Sequence, residues 1–511
     1  LVLIEKVKIF FIKIYSTKRN SRLDVELINN KKTKFNVQTG LIDIFDFPLE
    51  KSCREVKKML RFDIQQISFA DYLIPEELTA LDYELSIIDE YLNDEKIVQP
   101  FIEYFHKKHG RPSTPLQVYI RMMFIKHMYS LSYEELHQRV TDSIKWRRFC
   151  HIPLDARVPD GSTLCKLTKL FGSDTLDKLN KIIIAKAVKE KKIKARKVRV
   201  DTTVVESNIH YPTDADLLGD CVQVITRIVN RIAKETNDAA GKIRNRGRSI
   251  KKKILAIAKI SKRRTGEKFH EIREITGQIA KVAKHTVADA REVLARVKQA
   301  ANTKIKGKAQ KLIDELSEII QIADKVIEQT EEVNKGNFNL KDRIVSIFDP
   351  GARPIRKGKI KFPTEFGRKV LITESEEGVI THYEVYEGNP SDELLLIDAI
   401  KRHWSNVGCI PKEVASDRGF YSKDNENELY CLGVKRVSIP KRGKKSKARK
   451  ELESAFWFKR LQRFRAGSEA TISMLKRCRG LNRTLSRGTS GSKCWIAMGI
   501  MAHNLWKLAQ L

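Results

Sequence analysis

The segment from Phe464 to Arg477 reads FRAGSEATISMLKR and holds a single carboxylate among several cations. Its residues predict a helix that begins near Ser468, where the serine hydroxyl would cap the first turn. At about 100° per residue, Arg465, Glu469 and Lys476 fall on one stripe of such a helix. Taken alone, an Arg-Glu-Lys stripe is more often a solvated face with a routine ion pair than a functional site.

Two aspartates further up the chain each lie in a strand-like run. Asp201 stands within KVRVDTTVV, an alternating run rich in β-branched residues, and Asp417 lies in the short run VASDRGF. Two carboxylates on neighbouring strands and a third from a covering helix supply the hard oxygen ligands that Mg²⁺ prefers. Paired ions of this kind stabilise both oxygens of a phosphodiester displacement. Asp201, Asp417 and Glu469 are therefore the candidate catalytic residues and metal ligands.

The three segments together resemble the motifs of DDE transposases of bacterial insertion sequences, a ribonuclease H-like family. The signature Y-x2-R-x3-E-x6-K of one subgroup occurs as Gln462, Arg465, Glu469 and Lys476, with glutamine in place of tyrosine. The stretches VDTTVVESNIHYPTDADLL, GARPIRKGKIKFPTEFGRKV and GNPSDELLLIDAI are similar to the insertion-sequence group called ISNCY. The resemblance runs from about Met59 to the C-terminus.

This resemblance implies a transposase that cuts DNA at the ends of its element and joins the 3′-hydroxyl to target DNA. Two divalent metal ions are implied, Mg²⁺ or in its place Mn²⁺, with no covalent protein intermediate. Arg465 and Lys476 are expected to contact backbone phosphate and to steady the glutamate helix. The residues alone leave two alternatives open: a metal-dependent nuclease without strand transfer, and an inactive DNA-binding protein. The presence of all three carboxylates weighs against the second.

The charge of the chain predicts a polyanionic partner. Its 98 Lys and Arg residues exceed its 64 Asp and Glu residues, which gives a formal net charge of +34. Affinity for double-stranded DNA should therefore fall steeply with salt. Charge alone does not separate a transposase from other nucleic-acid-binding proteins, and the pairing of two element ends leads us to expect at least a homodimer.

The cysteines and the hydropathy pattern predict a soluble protein of the cytoplasm, and the resemblance implies a prokaryotic cell and association with the nucleoid. None of the 8 cysteines forms a C-x2-C pair or a zinc-like spacing, which favours reduced thiols. No apolar run is long enough to span a bilayer, so we expect no membrane partner.

The first 58 residues differ from the rest. They show no resemblance to the family and contain no methionine, so Met59 is the first methionine of the chain. We expect residues 1–58 to be translated upstream sequence that makes few contacts with the rest of the chain. The alternative is a genuine extension that contacts DNA as an arm.

Residues 59–194 predict an all-α N-terminal domain. Amphipathic helices are predicted over Pro115 to Met128 and from Ser132 to about Val140, the second with Ser132 and Glu135 as a capping box. Short basic helices joined by tight turns suit a helix-turn-helix reader of transposon ends, although a plain packing domain fits the pattern nearly as well.

Residues 215–339 predict a basic helical insertion after the first strand. This range contains no proline, and its apolar residues recur at spacings of three and four. The run 242–264 has no acidic residue, which favours a clamp along a DNA backbone over a solvated coiled-coil hairpin. The candidate contacts are Arg244, Arg246, Lys252 and Lys253.

Residues 195–214 and 340–511 predict the catalytic domain, an α/β ribonuclease H-like fold with a mixed sheet and covering helices. The expected order places Asp201 on the central strand and Asp417 on its neighbour.

The basic run 441–450 predicts an unpaired mobile loop that orders on phosphate. Its candidate DNA contacts are Lys441, Arg442, Lys444 and Lys445. Phe456 and Trp457 are expected to pack in the core rather than to stack on a base, and the C-terminal WIAMGIMAHNLWKLAQL predicts a buried helix.

Overall fold

The structure is a computed structural model that describes residues 73–105, 113–236, 241–262, 267–300, 307–340, 342–356 and 364–511. The predicted leader 1–58 and the expected start at Met59 lie outside these ranges. Residues 263 and 264, at the end of the acid-free run, also lie outside them.

Helices dominate the described residues before the first strand, the stretch after that strand and the C-terminal end of the chain. In chain order the described helices are α1 (Glu76–Thr79), α2 (Tyr83–Leu92), α3 (Leu116–Met128), α4 (Tyr133–Asp142), α5 (Ile144–Phe149), α6 (Gly161–Lys189), α7 (Asp214–Glu235), α8 (Gly247–Ile260), α9 (Lys268–Ala300), α10 (Lys308–Asn334), α11 (Leu396–Val407), α12 (Lys423–Cys431), α13 (Lys447–Ser454), α14 (Phe456–Cys478) and α15 (Gly488–Ala509). Short 3-10 helices span Glu95–Ile97, Gln99–Tyr104, Asp392–Leu394 and Arg418–Phe420.

A mixed β-sheet forms the centre of the fold. Its strands are β1 (Lys197–Glu206), β2 (Arg353–Arg356), β3 (Thr364–Ser375), β4 (Ile380–Tyr386), β5 (Glu413–Ser416) and β6 (Arg436–Ser438). Strand β1 pairs antiparallel with β3 and parallel with β5, and β5 pairs parallel with β6. Strands β2 and β4 both pair with β3. The mixed sheet, with β1 at its centre and β5 beside it, agrees with the prediction.

Strand β2 is an element that the sequence pattern does not predict. Pro354 stands opposite Phe366 in its pairing with β3. Proline lacks the N–H that a central strand needs, so it is confined to sheet edges and is normally a signal against a strand. Among the described residues β2 pairs with β3 alone, and this edge position accommodates the proline.

The two faces of β1 carry different chemistry because alternate side chains point to opposite sides of a strand. Val198 and Val200 are buried in an apolar layer with residues of α11 and α12. Arg199 and Asp201 lie on the other face, where both make contacts with α14. The face of Val198 and Val200 thus builds one apolar layer, and the other face holds polar groups under α14 and, further along, Val205 in a second apolar layer with α14 and α15.

The N-terminal helices share a core with the last helix of the chain. Helix α15 is buried along most of its length, as predicted, and it packs against α2, α3 and α6. Asn180 of α6 donates a hydrogen bond to the carbonyl of Ala497 over 3.0 Å. Within the described ranges, no helix is both long and apolar enough to cross a bilayer.

The predicted helix is present at α3, but the prediction that it is amphipathic is wrong, because every residue of this helix is buried. Its charged side chains have internal neighbours: Arg121 pairs with Asp89 at 2.8 Å, and the ammonium of Lys126 lies 3.9 Å from the Trp495 ring centroid. Helix α3 is therefore not exposed to read DNA. The predicted capping box of α4 is confirmed, since Ser132 and the third residue of that helix exchange both hydrogen bonds.

Helices α7 to α10 lie between β1 and β2 in the chain and pack into a bundle with a continuous apolar core. The core takes residues at spacings of three and four, such as Ile225, Ile228, Val229 and Ile232 of α7. The basic run 242–264 does not form a helix throughout, since α8 begins only at Gly247.

Candidate active site between strands β1 and β5

Two carboxylates meet where the parallel strands β1 and β5 lie side by side. The register pairs Val200 of β1 with Ser416 of β5, so the next residues, Asp201 and Asp417, are neighbours across the sheet. Parallel pairing of adjacent strands separates such neighbours by about 4.8 Å. The structure therefore brings together the two aspartates that the sequence predicted on neighbouring strands.

A tight turn fixes the carboxylate of Asp417. Its Oδ1 accepts a hydrogen bond from the N–H of Gly419 over 2.7 Å, which caps the 3-10 helix Arg418–Phe420. A Cβ at position 419 would lie 2.7 Å from this oxygen and 3.0 Å from Oδ2 of Asp392. The absence of a side chain at 419 therefore leaves room for both carboxylates in their present positions.

Asp201 is held by the backbone and by helix α14. Its Oδ1 accepts from the N–H of Thr202 over 2.8 Å, and its Oδ2 accepts from the hydroxyl of Ser468 over 2.6 Å. Burial raises the pKa of Asp201 above its usual range, and the charge of Asp417 adds to this. The two hydrogen bonds and the cation of Arg465 oppose the rise without cancelling it.

Ser468 corrects the prediction for this helix. It does not cap an N-terminus, because α14 begins at Phe456 and carries Ser468 in its interior, where the side chain is buried. The sequence suggested a helix start because Gly467 and Ser468 are weak helix formers. A Cβ at Gly467 would overlap the guanidinium of Arg199, so the glycine permits the close approach of α14 to β1.

Glu469 lies at the rim of the site and not beside the two aspartates. Its side chain is 74% exposed, and its Oε1 lies 3.6 Å from Nη2 of Arg465. The other guanidinium nitrogen, Nη1, lies 3.7 Å from Oδ2 of Asp201. Arg465 thus stands between the glutamate and the nearest aspartate, while Lys476 is half-buried two turns after Glu469 on α14.

Within the ranges that the structure describes, no group of three or more His, Cys, Asp and Glu side chains is placed to hold a metal ion. A shared site for Asp201, Asp417 and Glu469 therefore stays a prediction. The aspartate pair by itself fits a divalent cation, because two adjacent carboxylates supply hard oxygen donors whose mutual repulsion a cation would relieve.

An ion pair next to Asp201 is a feature that sequence reasoning missed. Arg199 stands opposite Glu374 in the β1–β3 register, and its Nε donates to the carboxylate of Glu374 over 2.8 Å. Its Nη1 also donates to the carbonyl of Phe464, while Thr471 donates to Glu374 over 2.8 Å. The pair, here called the clamp, fixes α14 on the sheet. The available signal was the period of two, which puts Arg199 on the face of Asp201.

Gln462 performs a second anchoring role at the position where the resembling signature has tyrosine. Its Nε2 donates to the carbonyl of Ser438 over 2.8 Å and to that of Ser416 over 3.2 Å. These carbonyls close the ends of β6 and β5. The glutamine thus ties α14 to the strand end from which Asp417 projects.

Asp392 also reaches this edge, from the segment between β4 and α11. It accepts from the hydroxyl of Thr202 over 3.1 Å and pairs with Lys369 at 2.6 Å. The sequence offers no signal for this residue beyond its place in GNPSDELLLIDAI. Its Oδ2 lies near the Asp417 carboxylate, since a Cβ at Gly419 would contact both.

The interpretation of 441–450 as an unpaired loop is wrong. Lys445 pairs with Glu453 at 2.6 Å, and the N–H of Lys441 donates to the same carboxylate. Arg442 donates to the carbonyl of Gly419 over 3.0 Å, beside Asp417, whereas Lys444 is exposed. Helix α13 takes up the end of the run.

The two aromatic residues that follow this run differ in burial. Phe456 is 74% exposed, so the expectation of core packing is wrong for this residue. Trp457 is half-buried and contacts Phe458 edge to face, at 5.6 Å between ring centroids. Only the second aromatic therefore packs as expected.

The acid-free run of the bundle is also partly paired. Arg246 forms an ion pair with Asp289 of α9 at 2.6 Å, and Lys253 donates to Gln278 of the same helix. Arg244 and Lys252 are exposed. The argument that this run resists explanation by salt bridges is therefore wrong for Arg246, because a neighbouring helix supplies the acid.

Two comparisons with protein families bear on this arrangement. Residues 73–170 match a family described as Transposase domain (DUF772), and residues 345–505 match a family described as Transposase DDE domain. The second range contains Asp417 and Glu469, while Asp201 and α7 to α10 lie between the two ranges. The matches support a transposase of the insertion-sequence kind, and a DDE domain implies a ribonuclease H-like fold.

Among curated proteins the chain is similar to a Rhizobium meliloti protein, "Uncharacterized protein ORF8 in nfe locus". The identity is 29% over 133 residues, which cover 24% of this chain and 62% of the relative. The chain thus spans less than two thirds of the length of this relative. No solved structure matches the chain significantly.

Proposed function

We propose that this protein is an insertion-sequence transposase of the DDE type, related to the ISNCY group. It binds the ends of its element, cleaves the DNA, and joins the 3′-hydroxyl to target DNA. The observation that carries the proposal is the pair of adjacent carboxylates under α14, with Asp201 inside β1 and Asp417 just after the end of the parallel strand β5. Both family matches support the same conclusion.

The proposed metal ligands are Asp201, Asp417 and Glu469. A bound Mg²⁺ or Mn²⁺ pair would stabilise the attacking and leaving oxygens of the phosphodiester. The chain itself orients the acids: Ser468 holds one oxygen of Asp201, and the Gly419 N–H holds one oxygen of Asp417. Because burial raises the pKa of Asp201, this carboxylate takes up a proton more readily than an exposed one.

The cations around this edge are the proposed DNA contacts of the site. Arg465 lies between Glu469 and Asp201, and Lys476 follows on the same helix. Arg442 lies beside Asp417 through its bond to the Gly419 carbonyl, and Lys441, the exposed Lys444 and Lys445 are its neighbours in the chain. Guanidinium groups bind phosphate oxygens in a bidentate manner, which suits Arg465 and Arg442 to a scissile strand.

The proposed partners are duplex DNA and a second copy of the chain. Pairing two element ends in one complex requires two active sites, which a homodimer supplies. The protein would act on DNA in the cytoplasm of a prokaryotic cell, at the nucleoid.

The deciding experiment incubates the purified full chain with a labelled element end, a target plasmid and Mg²⁺. Joined products support the proposal. Cleaved but unjoined ends would point to a nuclease, and binding without cleavage to an inactive DNA-binding protein. Glu469→Gln should abolish cleavage and leave end binding largely intact. Thr484→Ser, a change outside the site, is the matched control.

A further inference from the structure

Helix α7 carries a row of cations on the side opposite to its buried face. Its apolar residues, including Ile225 and Ile232, are fully buried in the core of the bundle. Arg227, Arg231 and Lys234 are exposed at spacings of three and four, so they lie along one face of the helix. The distance from the first to the third is about 10 Å along the helix axis.

These cations line a groove that α7 forms with the segment preceding α8. The groove has a volume of about 350 Å³. Its lining includes the three cations and the amide side chains Gln223, Asn230 and Asn245, and none of the described residues that line it is acidic. Asn245 is fixed by the backbone, since its Oδ1 accepts from the N–H of Gly247 over 2.9 Å. Every polar side chain named in the lining can donate a hydrogen bond.

The groove cations differ in their partners from the paired cations of α9. Within the described residues, Arg227, Arg231 and Lys234 form neither an ion pair nor a side-chain hydrogen bond. By contrast, Lys284 and Arg291 on α9 pair with acids of α10 at 2.5 Å. Like charges one turn apart destabilise a helix slightly. Three such charges without a counter-charge leave a local excess that an external anion would neutralise.

We propose that this groove binds the phosphate backbone of duplex DNA. The inference rests on the proposed function, which makes DNA the partner, and it places the cations of the contact on α7, with Asn245 of the acid-free run beside them. Along about 10 Å a DNA strand presents roughly three phosphates, one for every 3.4 Å of axis. Amide side chains beside Arg and Lys are typical donors to phosphate oxygens. The contact reads no bases, so it should be the same for specific and random sequences.

The test compares two triple variants of the full chain. The groove variant is Arg227→Ala, Arg231→Ala, Lys234→Ala. The control is Lys281→Ala, Lys311→Ala, Lys325→Ala, which removes the same charge from exposed positions of α9 and α10 outside the groove. Affinity for a random duplex and for an element end is measured at several salt concentrations. In the groove variant, the slope of log affinity against log salt should shrink by about 0.9 for each phosphate that the protein no longer binds, and in the control it should change little.

An unchanged slope in the groove variant, or an equal change in both variants, would overturn the inference. A loss of dimerisation with an unchanged slope would make the groove an assembly surface and overturn it as well. If the triple variant misfolds, the single variant Arg231→Ala replaces it. Its slope of log affinity against log salt should shrink by about 0.9. The outcome is separate from that of the proposed function. If the wild-type protein binds DNA without cleaving it, the proposed transposase function is refuted and the proposed DNA contact of the groove still stands. If the protein cleaves DNA but the groove variant has an unchanged salt slope, the groove contact is refuted and the transposase function still stands.

Discussion

The candidate site between β1 and β5 and the helical bundle both hold charged residues that look functional in the sequence, yet they differ in what fixes the positions and partners of those residues. At the candidate site, strand register decides the position of Asp201 and Asp417, and register follows from local alternation. In the bundle, a cation is paired or unpaired according to a helix distant in the chain, as Arg246 is paired by Asp289. The comparison teaches that a local pattern places a side chain on an element but does not say whether its charge is compensated.

The largest expected effect concerns Asp201 in the candidate site between β1 and β5. Asp201→Asn should lower the cleavage rate about 10³-fold, because loss of a metal ligand removes several kcal/mol of transition-state stabilisation. The same variant should melt at a higher temperature at neutral pH. The folded pKa of Asp201 is raised above its usual range, so the ionised carboxylate costs stability at every pH above that pKa, and this cost disappears as the pH falls through it.

Cleavage assays and thermal melts at several pH values check both parts. The melting difference should shrink as the solution is acidified. A lower melting temperature at neutral pH would contradict the assigned environment of Asp201.

The next effect tests the clamp. Arg199→Met should destabilise the fold by about 3 kcal/mol, because it leaves the buried carboxylate of Glu374 without its cation. Denaturant unfolding measures this difference. Arg402→Ala removes a surface pair with Asp398 and serves as the control, with an expected cost below about 1 kcal/mol. Equal costs for the two variants would show that the clamp does not hold α14.

A smaller effect concerns Ser468. Its hydroxyl lowers the pKa of Asp201, so Ser468→Ala should raise that pKa further. If the ionised form is required, the acid limb of the pH–rate profile should move to higher pH. Ser473→Ala, on the same helix, removes a hydroxyl that does not bond to Asp201. A shift to lower pH in the Ser468 variant, or equal profiles for both variants, would refute this role of the serine.

The smallest effect is expected in the bundle. Arg246→Ala removes a cation that Asp289 already compensates, so it should cost about 1 kcal/mol or less and leave the salt slope of DNA binding unchanged. Salt titration of the variant beside the groove variant makes this comparison directly. A slope reduced as much as in Arg231→Ala would erase the distinction between paired and unpaired cations.

The sequence predicted those parts of the fold that depend on local period. The alternation of β1 predicted the strand that holds Asp201, and the apolar C-terminal run predicted the buried α15. Features that depend on distant contacts were not predictable. Helix α14 continues through Gly467, where the missing side chain leaves room for Arg199 of β1. Helix α3 is buried on all sides because α15 and the helices near it enclose it.

The same limit holds for the candidate site. The stripe of Arg465 and Glu469 follows from helical spacing, and the structure has the two side chains 3.6 Å apart. The clamp of Arg199 and Glu374 and the place of Asp392 depend on pairing between segments far apart in the chain. No local pattern encodes such pairing.

The most direct test of the central claim is a titration of the metal-free protein with Mn²⁺, followed by electron paramagnetic resonance. Asp201→Asn and Asp417→Asn should each weaken Mn²⁺ binding at least about tenfold, a loss of about 1.4 kcal/mol. Asp424→Asn, on the exposed surface of α12, should leave binding unchanged. Undiminished Mn²⁺ binding in both site variants would contradict the assignment of Asp201 and Asp417 as one metal site.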